Sequence, residues 1–180
     1  MRTEAEKHLG VLGPMLHAEV GDTIEVTFKN MARRNYSMHP HGLYYTKRNE
    51  GSDYDDDTWR GEKIDNAIHP GQIYTYKWQV PERAGPGPNG PTCVTWAYYS
   101  DVNPIKDRNS GLVGPLVVCK KDTLTATNSR SDVDHEFALL FTVLELNQVF
   151  FNRNMSVITA RMCTISSQES LQPWRRFQTV

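Results

Sequence analysis

Two histidines, His39 and His41, flank Pro40 in the stretch YSMHPHGLYY, which otherwise reads as apolar and extended. Residues two positions apart on a strand point to the same face, so this spacing predicts that both imidazoles reach one metal ion. Pro40 disfavours helix at His39 and removes a ladder donor, which places the pair at a strand edge or end. Neutral imidazole suits copper or zinc. The alternative is a pair of partly exposed, hydrogen-bonded histidines.

A second group of potential ligands lies in residues 47–66, KRNEGSDYDDDTWRGEKIDN. This loop holds seven carboxylates: Glu50, Asp53, Asp55, Asp56, Asp57, Glu62 and Asp65. Their mutual repulsion destabilises the loop unless solvent or a hard cation disperses it, and calcium accepts oxygens from flexible loops. An EF-hand is excluded, because Thr58 stands where glycine is required and Ile64 where glutamate is required. A calcium loop and a solvated acidic loop both remain open.

The cysteines bear on the redox compartment. Cys93 and Cys119 each lie near the edge of an apolar, β-rich segment, and two adjacent strands could bring them together. Such a bridge would stabilise the fold by ~3–4 kcal/mol in an oxidising compartment. Cys163 is left over, and three free buried thiols are the alternative. Two glycosylation triplets, which begin at Asn35 and Asn154, also favour a secreted protein.

Short alternating segments must position these groups. In DTIEVTFKN, Ile24, Val26 and Phe28 share one face, and QIYTYKWQVP alternates in the same way. Further strands are predicted at 14–20, 36–45, 93–100, 112–119 and 136–144. Short strands at this spacing, with almost no helical period, indicate an all-β sandwich or barrel. We place one domain in residues 1–145 and predict that 146–180 form a poorly specified, partly disordered tail.

Composition excludes several classes of protein. The 20 basic and 21 acidic side chains give a net charge of −1, so the sequence lacks the excess of positive charge that is typical of nucleic-acid-binding proteins. No apolar run approaches the ~20 residues of a membrane-spanning helix, so no membrane contact is expected from this segment. The opening MRTEAEKHLG lacks the apolar core of a secretory signal, which alone argues for a cytoplasmic protein. A fragment of a secreted protein would reconcile this with the cysteines.

Some catalytic motifs are also missing from the sequence. It has no glycine-rich phosphate loop, no Cys-x-x-Cys and no Gly-x-Ser-x-Gly elbow. No cysteine has a histidine within five residues, so a blue-copper site has no local signature here.

Three longer stretches together resemble a known family: HLGVLGPMLHAEVGDTIEVTFKNMARRNYSMHPHG, PERAGPGPNGPTCVTWAYYSDVNPIKD and SGLVGPLVVCKK. They look like the ceruloplasmin and hephaestin family of multicopper ferroxidases, and are similar to the A domains of coagulation factors V and VIII. The resemblance runs from His8 to about Leu144. It implies one cupredoxin-like Greek-key β-sandwich, incomplete at its N-terminal edge, cut from a larger protein that is secreted or is a membrane-anchored ectodomain.

The resemblance also implies roles for individual residues. It implies a disulfide between Cys93 and Cys119, and copper binding by His39 and His41, which match two ligands of the family's trinuclear copper cluster. It implies a calcium site in the acidic loop, where Asn66 replaces a family aspartate but keeps an oxygen ligand. The implied calcium ligands are the Lys47 carbonyl, Glu50, Asp56, Glu62, Asp65 and Asn66.

The departures from the family pattern limit the function. Tyr99, Ser100 and Asp101 stand where a cluster-bearing domain has its second His-Ser-His, so two copper ligands are lost, although Asp101 could supply an oxygen. We favour a copper- and calcium-binding domain of a ferroxidase, a protein of iron homeostasis that oxidises iron(II) with oxygen and joins this segment to other cupredoxin domains. On this interpretation the isolated chain is expected to show no ferroxidase activity. The alternative is a factor V or VIII type domain that assembles a protease complex.

Overall fold

The computed structural model describes Lys7, residues 9–143 and the backbone of residues 160–166. Seven strands, one short α-helix and three 3-10 helices, Lys47–Asn49, Arg60–Glu62 and Glu82–Ala84, occur in these described ranges. The strands are β1 Leu16–Glu19, β2 Thr23–Lys29, β3 His39–Pro40, β4 Ile73–Gln79, β5 Cys93–Tyr99, β6 Val113–Cys119 and β7 Ala160–Ser166, and the helix is α1 Pro104–Asn109. Within the same ranges, no helix has the length and apolar character needed to cross a membrane.

The strands form two sheets. One has the order β1-β6-β5-β3 and the other the order β4-β2-β7. The β1–β6 pair is parallel, whereas β6–β5, β5–β3, β2–β4 and β2–β7 are antiparallel. The predicted all-β, cupredoxin-like fold is confirmed.

The core lies along the inward faces that the alternation predicted. On β2, Ile24, Val26 and Phe28 are at most 3% exposed, whereas Glu25 and Thr27 between them are partly exposed. Tyr76 and Trp78 on β4 are completely buried opposite them in the sheet. Buried side chains from the other sheet, among them Leu16, Ala18, Leu116 and Val118, belong to the same core cluster.

A disulfide joins the two central strands of the larger sheet. Cys93 and Cys119 face each other directly in the register of β5 and β6, with their Cα atoms 4.0 Å apart, and they are bonded. The structure therefore contains the bridge that the resemblance implied. The third cysteine, Cys163, lies on β7.

The strand predicted at 36–45 is reduced to the two residues of β3. The prediction was wrong over most of this span because local chemistry interrupts the ladder. Pro40 offers no amide hydrogen, and Gly42 turns the chain with φ +84°. On either side, Tyr36 and Tyr44 make only isolated bridges, to Ile68 and Gln79.

The strand predicted at 136–144 is also wrong within the described residues, since 136–143 carry no strand. The side chains are largely exposed there: Phe137 by 69%, Phe141 by 90% and Val143 by 96%. The segment is rich in apolar residues, but these residues pair with no described strand, and a strand needs a partner ladder.

Two elements were not predicted. Strand β7 pairs with β2 from within 146–180, where the sequence shows no sustained pattern, while the domain boundary at 145 stays a prediction. Helix α1 begins at Pro104 after Asn103, whose side chain accepts a hydrogen bond from the Lys106 amide. Asparagine followed by proline is a helix-start signal that could have predicted this turn.

Candidate metal centre

His39 occupies the edge strand β3, directly opposite Tyr99 of β5. Its ring centroid lies 5.3 Å from that of Tyr99 and 5.5 Å from that of Tyr45. Its Nδ1 lies 2.7 Å from the carbonyl oxygen of Glu50. Because a carbonyl only accepts, Nδ1 carries the proton and donates, which leaves Nε2 as the nitrogen with a free lone pair. Metal-binding imidazoles are commonly oriented by such a contact.

His41 follows the proline and lies in a different environment. Its backbone amide donates to the Ala97 carbonyl at 2.8 Å, and its exposed ring packs at 5.8 Å from Trp96. Gly42 is required next to it, because a Cβ there would come within 2.5 Å of the Trp96 indole. The two imidazoles are thus two residues apart at one edge of the sheet but are packed against different aromatic rings.

Asp101, the third predicted copper ligand, lies beyond the end of β5. Its Oδ2 accepts a hydrogen bond from the Ser52 hydroxyl, and its amide donates to Ser37 Oγ at 3.1 Å. Ser37 is buried, and its hydroxyl donates to the Gly51 carbonyl at 2.5 Å. The hydroxyl of the Asn35 glycosylation triplet is therefore engaged in the fold, and Asn154 lies outside the described residues.

The sequence reasoning missed a buried carboxylate beside this edge. Asp107 on α1 is 1% exposed, and its Oδ2 accepts from the Ser100 hydroxyl at 2.6 Å and from the Asn103 amide at 3.0 Å. Burial raises the pKa of Asp107 above its usual value, although these two hydrogen bonds oppose the shift. Ser100 in turn accepts from the Ser37 amide, so this carboxylate helps to fix the segment that leads into β3.

The exposed half of the acidic loop is held by lysines. Lys47 Nζ lies 2.7 Å from Glu50 Oε2 and 2.5 Å from Asp56 Oδ2, and Lys63 Nζ lies 2.9 Å from Asp56 Oδ1. These ammonium groups keep the pKa of Asp56 well below its usual value. Glu62, another predicted ligand, is 3.6 Å from an Arg48 nitrogen.

The buried half of the loop is arranged differently. Asp65 is fully buried, and its Oδ2 accepts from the Gly51 amide at 2.8 Å. Its Oδ1 has no hydrogen-bond partner, and neither does Oδ1 or Nδ2 of Asn66, which is 2% exposed. Burial raises the pKa of Asp65, and the negative charge of Glu50 adds to the increase. Buried polar atoms without partners are uncommon in folded proteins and call for an explanation.

The structure brings the predicted residues together only in part. Asp65 contacts Gly51, the residue after Glu50, while the Glu50 carbonyl contacts His39, so the two predicted metal sites are connected through one turn of backbone. Across Lys7 and residues 9–143, however, no three side chains of histidine, cysteine, aspartate or glutamate gather into a group that could hold a metal ion.

Comparison with known proteins agrees with the fold. The profile of the multicopper oxidase family matches residues 9–123. Coagulation factor V of Sus scrofa is 52% identical over 144 residues, which cover 80% of this chain and 6% of that protein. Hephaestin of Mus musculus is 44% identical over 169 residues, which cover 94% of this chain and 13% of that protein.

Among solved structures, a multicopper oxidase from Pseudomonas thermotolerans aligns with a TM-score of 0.46 and 23% identity, over 61% of this chain and 22% of that one. The chain spans between 6% and 13% of the length of the two relatives above. The family match extends over more than half of the chain and includes β1 to β6 together with both predicted metal sites. The chain therefore belongs to the multicopper oxidase family.

Proposed function

We propose that this chain is a calcium-binding cupredoxin-like domain of a larger extracellular protein, and that it serves that protein as a structural and interface domain. The observation that carries the proposal is the pair of buried, unpartnered oxygens, Asp65 Oδ1 and Asn66 Oδ1. Hard cations such as calcium prefer oxygen ligands of this kind, and a bound cation would compensate the burial of the Asp65 charge.

The residues of the loop fit calcium by chemistry. Carboxylate, amide and backbone carbonyl oxygens are all calcium ligands, and the loop offers each kind. The residues that would hold the ion are the Lys47 carbonyl, Glu50, Asp56, Glu62, Asp65 and Asn66. Calcium would supply positive charge to a segment rich in carboxylates, and would thereby stabilise the turn that carries Glu50 and Gly51.

The described donor set is incomplete for a copper centre. His39 offers Nε2 and His41 an exposed ring, but the Asp101 carboxylate is engaged by Ser52. Two imidazoles form part of a copper site, and the remaining ligands would come from another cupredoxin domain of the whole protein.

Two kinds of whole protein suit this domain. The first is a ferroxidase related to hephaestin, with iron(II) as substrate and other cupredoxin domains as partners. The second is a coagulation cofactor related to factor V, and two observations favour it: factor V of Sus scrofa is 52% identical, and Tyr99-Ser100-Asp101 replaces the second histidine pair. A disulfide between β5 and β6 supports an extracellular location for either kind.

Calcium is expected to stabilise the chain, and Asp65→Asn is expected to abolish that effect. At a calcium concentration about 100 times the Kd, the free energy of unfolding should rise by about 2.7 kcal/mol, because the ion binds only the folded state. The measurement is urea unfolding in EDTA and in calcium. Asp55→Asn is the matched control, since Asp55 is exposed in the same loop and should leave the response unchanged.

Glu62→Gln provides a second test should Asp65→Asn fail to fold. The Glu62 side chain is 46% exposed, so its substitution should weaken calcium binding without disturbing the core. An unchanged unfolding midpoint of the wild-type chain in calcium, with folding verified by circular dichroism, would contradict the proposal.

The purified chain is expected to show no iron(II) oxidation above a His39→Ala/His41→Ala control. The four-electron reduction of oxygen needs an electron-entry copper and a complete cluster, and the sequence supplies two of the matching histidines and no local blue-copper signature. Iron(II) oxidation can be followed by formation of iron(III)-transferrin in the presence of added copper. Iron(II) oxidation that depends on His39 and His41 would contradict the proposal that this chain serves as a structural domain.

A further inference from the structure

Lys47 has an unusual position with respect to the acidic loop. Its backbone carbonyl is one of the proposed calcium ligands, while its side-chain nitrogen bridges two others, Glu50 Oε2 at 2.7 Å and Asp56 Oδ2 at 2.5 Å. The same Nζ lies 4.1 Å from the centroid of the Tyr54 ring. An internal ammonium thus occupies carboxylate oxygens that a calcium ion would need.

The remaining oxygens of these two carboxylates are also engaged. The Tyr54 hydroxyl donates to Glu50 Oε1 at 3.0 Å, and Lys63 contacts Asp56 Oδ1 at 2.9 Å. All four carboxylate oxygens of Glu50 and Asp56 therefore have partners. Asp65 Oδ1, in the buried half of the loop, has none. Asp65 Oδ1 can therefore bind a cation directly, whereas Glu50 and Asp56 must first lose their contacts with Lys47.

The strength of the Lys47 contacts is consistent with this competition. Burial by itself lowers the pKa of Lys47, but hydrogen bonds to the Asp56 and Glu50 carboxylates outweigh it and raise that pKa above its usual value. The ammonium is therefore fully charged at neutral pH. Its side chain is 25% exposed, so it has a route to solvent when it leaves.

We propose that Lys47 determines the affinity of the loop for calcium, because its ammonium substitutes for part of the ion's charge and must leave Glu50 and Asp56 before they bind it. This inference rests on the proposed calcium site. In the described structure the ammonium is paired with two of the proposed ligands, Glu50 and Asp56.

The test is calcium binding to Lys47→Gln, measured by isothermal titration calorimetry with calcium chloride. The substitution removes the ammonium and keeps the backbone carbonyl. We expect calcium to bind about tenfold more tightly, since two partly exposed ion pairs no longer compete. The melting temperature in EDTA should fall, because the carboxylates lose their internal counter-ion.

Two further variants separate this competition from a general effect of charge. Lys47→Arg keeps the positive charge and should bind calcium no more tightly than the wild type. Lys63→Gln removes one charge from the same loop but frees only Asp56, so its gain should be clearly smaller than that of Lys47→Gln. Equal gains in Lys47→Gln and Lys63→Gln would overturn the inference.

The outcomes also separate this inference from the function on which it rests. Calcium binding of equal or lower affinity in Lys47→Gln, with the wild type binding, would overturn the role of Lys47 and leave the calcium site standing. Absence of calcium binding to folded wild type and to folded Lys47→Gln would overturn both.

Discussion

Loss of the Cys93–Cys119 disulfide is expected to lower the free energy of unfolding by about 3.5 kcal/mol. The bridge joins residues 26 positions apart, and the chain entropy that such a cross-link removes from the unfolded state gives this magnitude. It is a large fraction of the roughly 5–15 kcal/mol that stabilises a typical domain. The measurement is urea unfolding of a Cys93→Ala/Cys119→Ala variant and of the wild type with and without dithiothreitol.

Cys163→Ala is the control for the removal of a thiol that lies outside this bridge, and we expect it to unfold near the wild-type midpoint in the absence of reductant. Dithiothreitol should lower the midpoint of the wild type and leave that of the double variant unchanged. If reduction leaves the wild-type midpoint where it was, the bridge does not contribute to stability as described.

Tyr76→Phe is expected to destabilise the chain by about 3 kcal/mol. The Tyr76 hydroxyl is fully buried, donates to the Asp65 carbonyl at 2.7 Å and accepts from the Met38 amide at 3.3 Å. Its removal leaves both backbone groups without this partner, and each unpaired buried group costs about 1–3 kcal/mol. Because Met38 precedes His39 and Asp65 belongs to the acidic loop, the loss of this hydroxyl should destabilise both the histidine edge, residues 39–41, and the acidic loop.

Tyr74→Phe is the matched control on the same strand. The Tyr74 hydroxyl donates to the Arg48 carbonyl at 2.6 Å in an exposed position, where water can replace it. We therefore expect a loss below about 1 kcal/mol. The comparison is made by urea unfolding of the two variants, and equal effects would contradict the role given to Tyr76.

The strands that the sequence predicted well are those with one buried and one exposed face. Val26 and Phe28 on β2 and Tyr76 and Trp78 on β4 are buried on one face of the sheet. A shift of the pairing by one residue would expose them, so their burial fixes the register between β2 and β4. The strand prediction failed at 136–143, because an apolar sequence does not tell whether a partner strand lies alongside.

The histidine edge was predicted in outline only. The intervening Pro40 correctly placed the pair of histidines at a sheet edge, although the strand was predicted to be longer than β3. The different ring environments of the two side chains depend on Trp96, Tyr99 and the turn at Gly42, which are brought there by the tertiary fold. Nothing in the local pattern carries that information.

The acidic loop shows what residue counts leave out. Its charge was evident from sequence, and the resemblance named its ligands, but burial separates Asp65 and Asn66 from the exposed aspartates of the same loop. Equally, no local pattern singles out the side chain of Lys47, because its contact with Asp56 joins residues nine positions apart.

The contact between His39 Nδ1 and the Glu50 carbonyl links the acidic loop to strand β3. The main-chain carbonyl of Glu50 contacts the His39 imidazole, while its side-chain carboxylate contacts Lys47. A rearrangement of the loop that rotates the peptide plane at Glu50 would therefore change the orientation of the His39 imidazole.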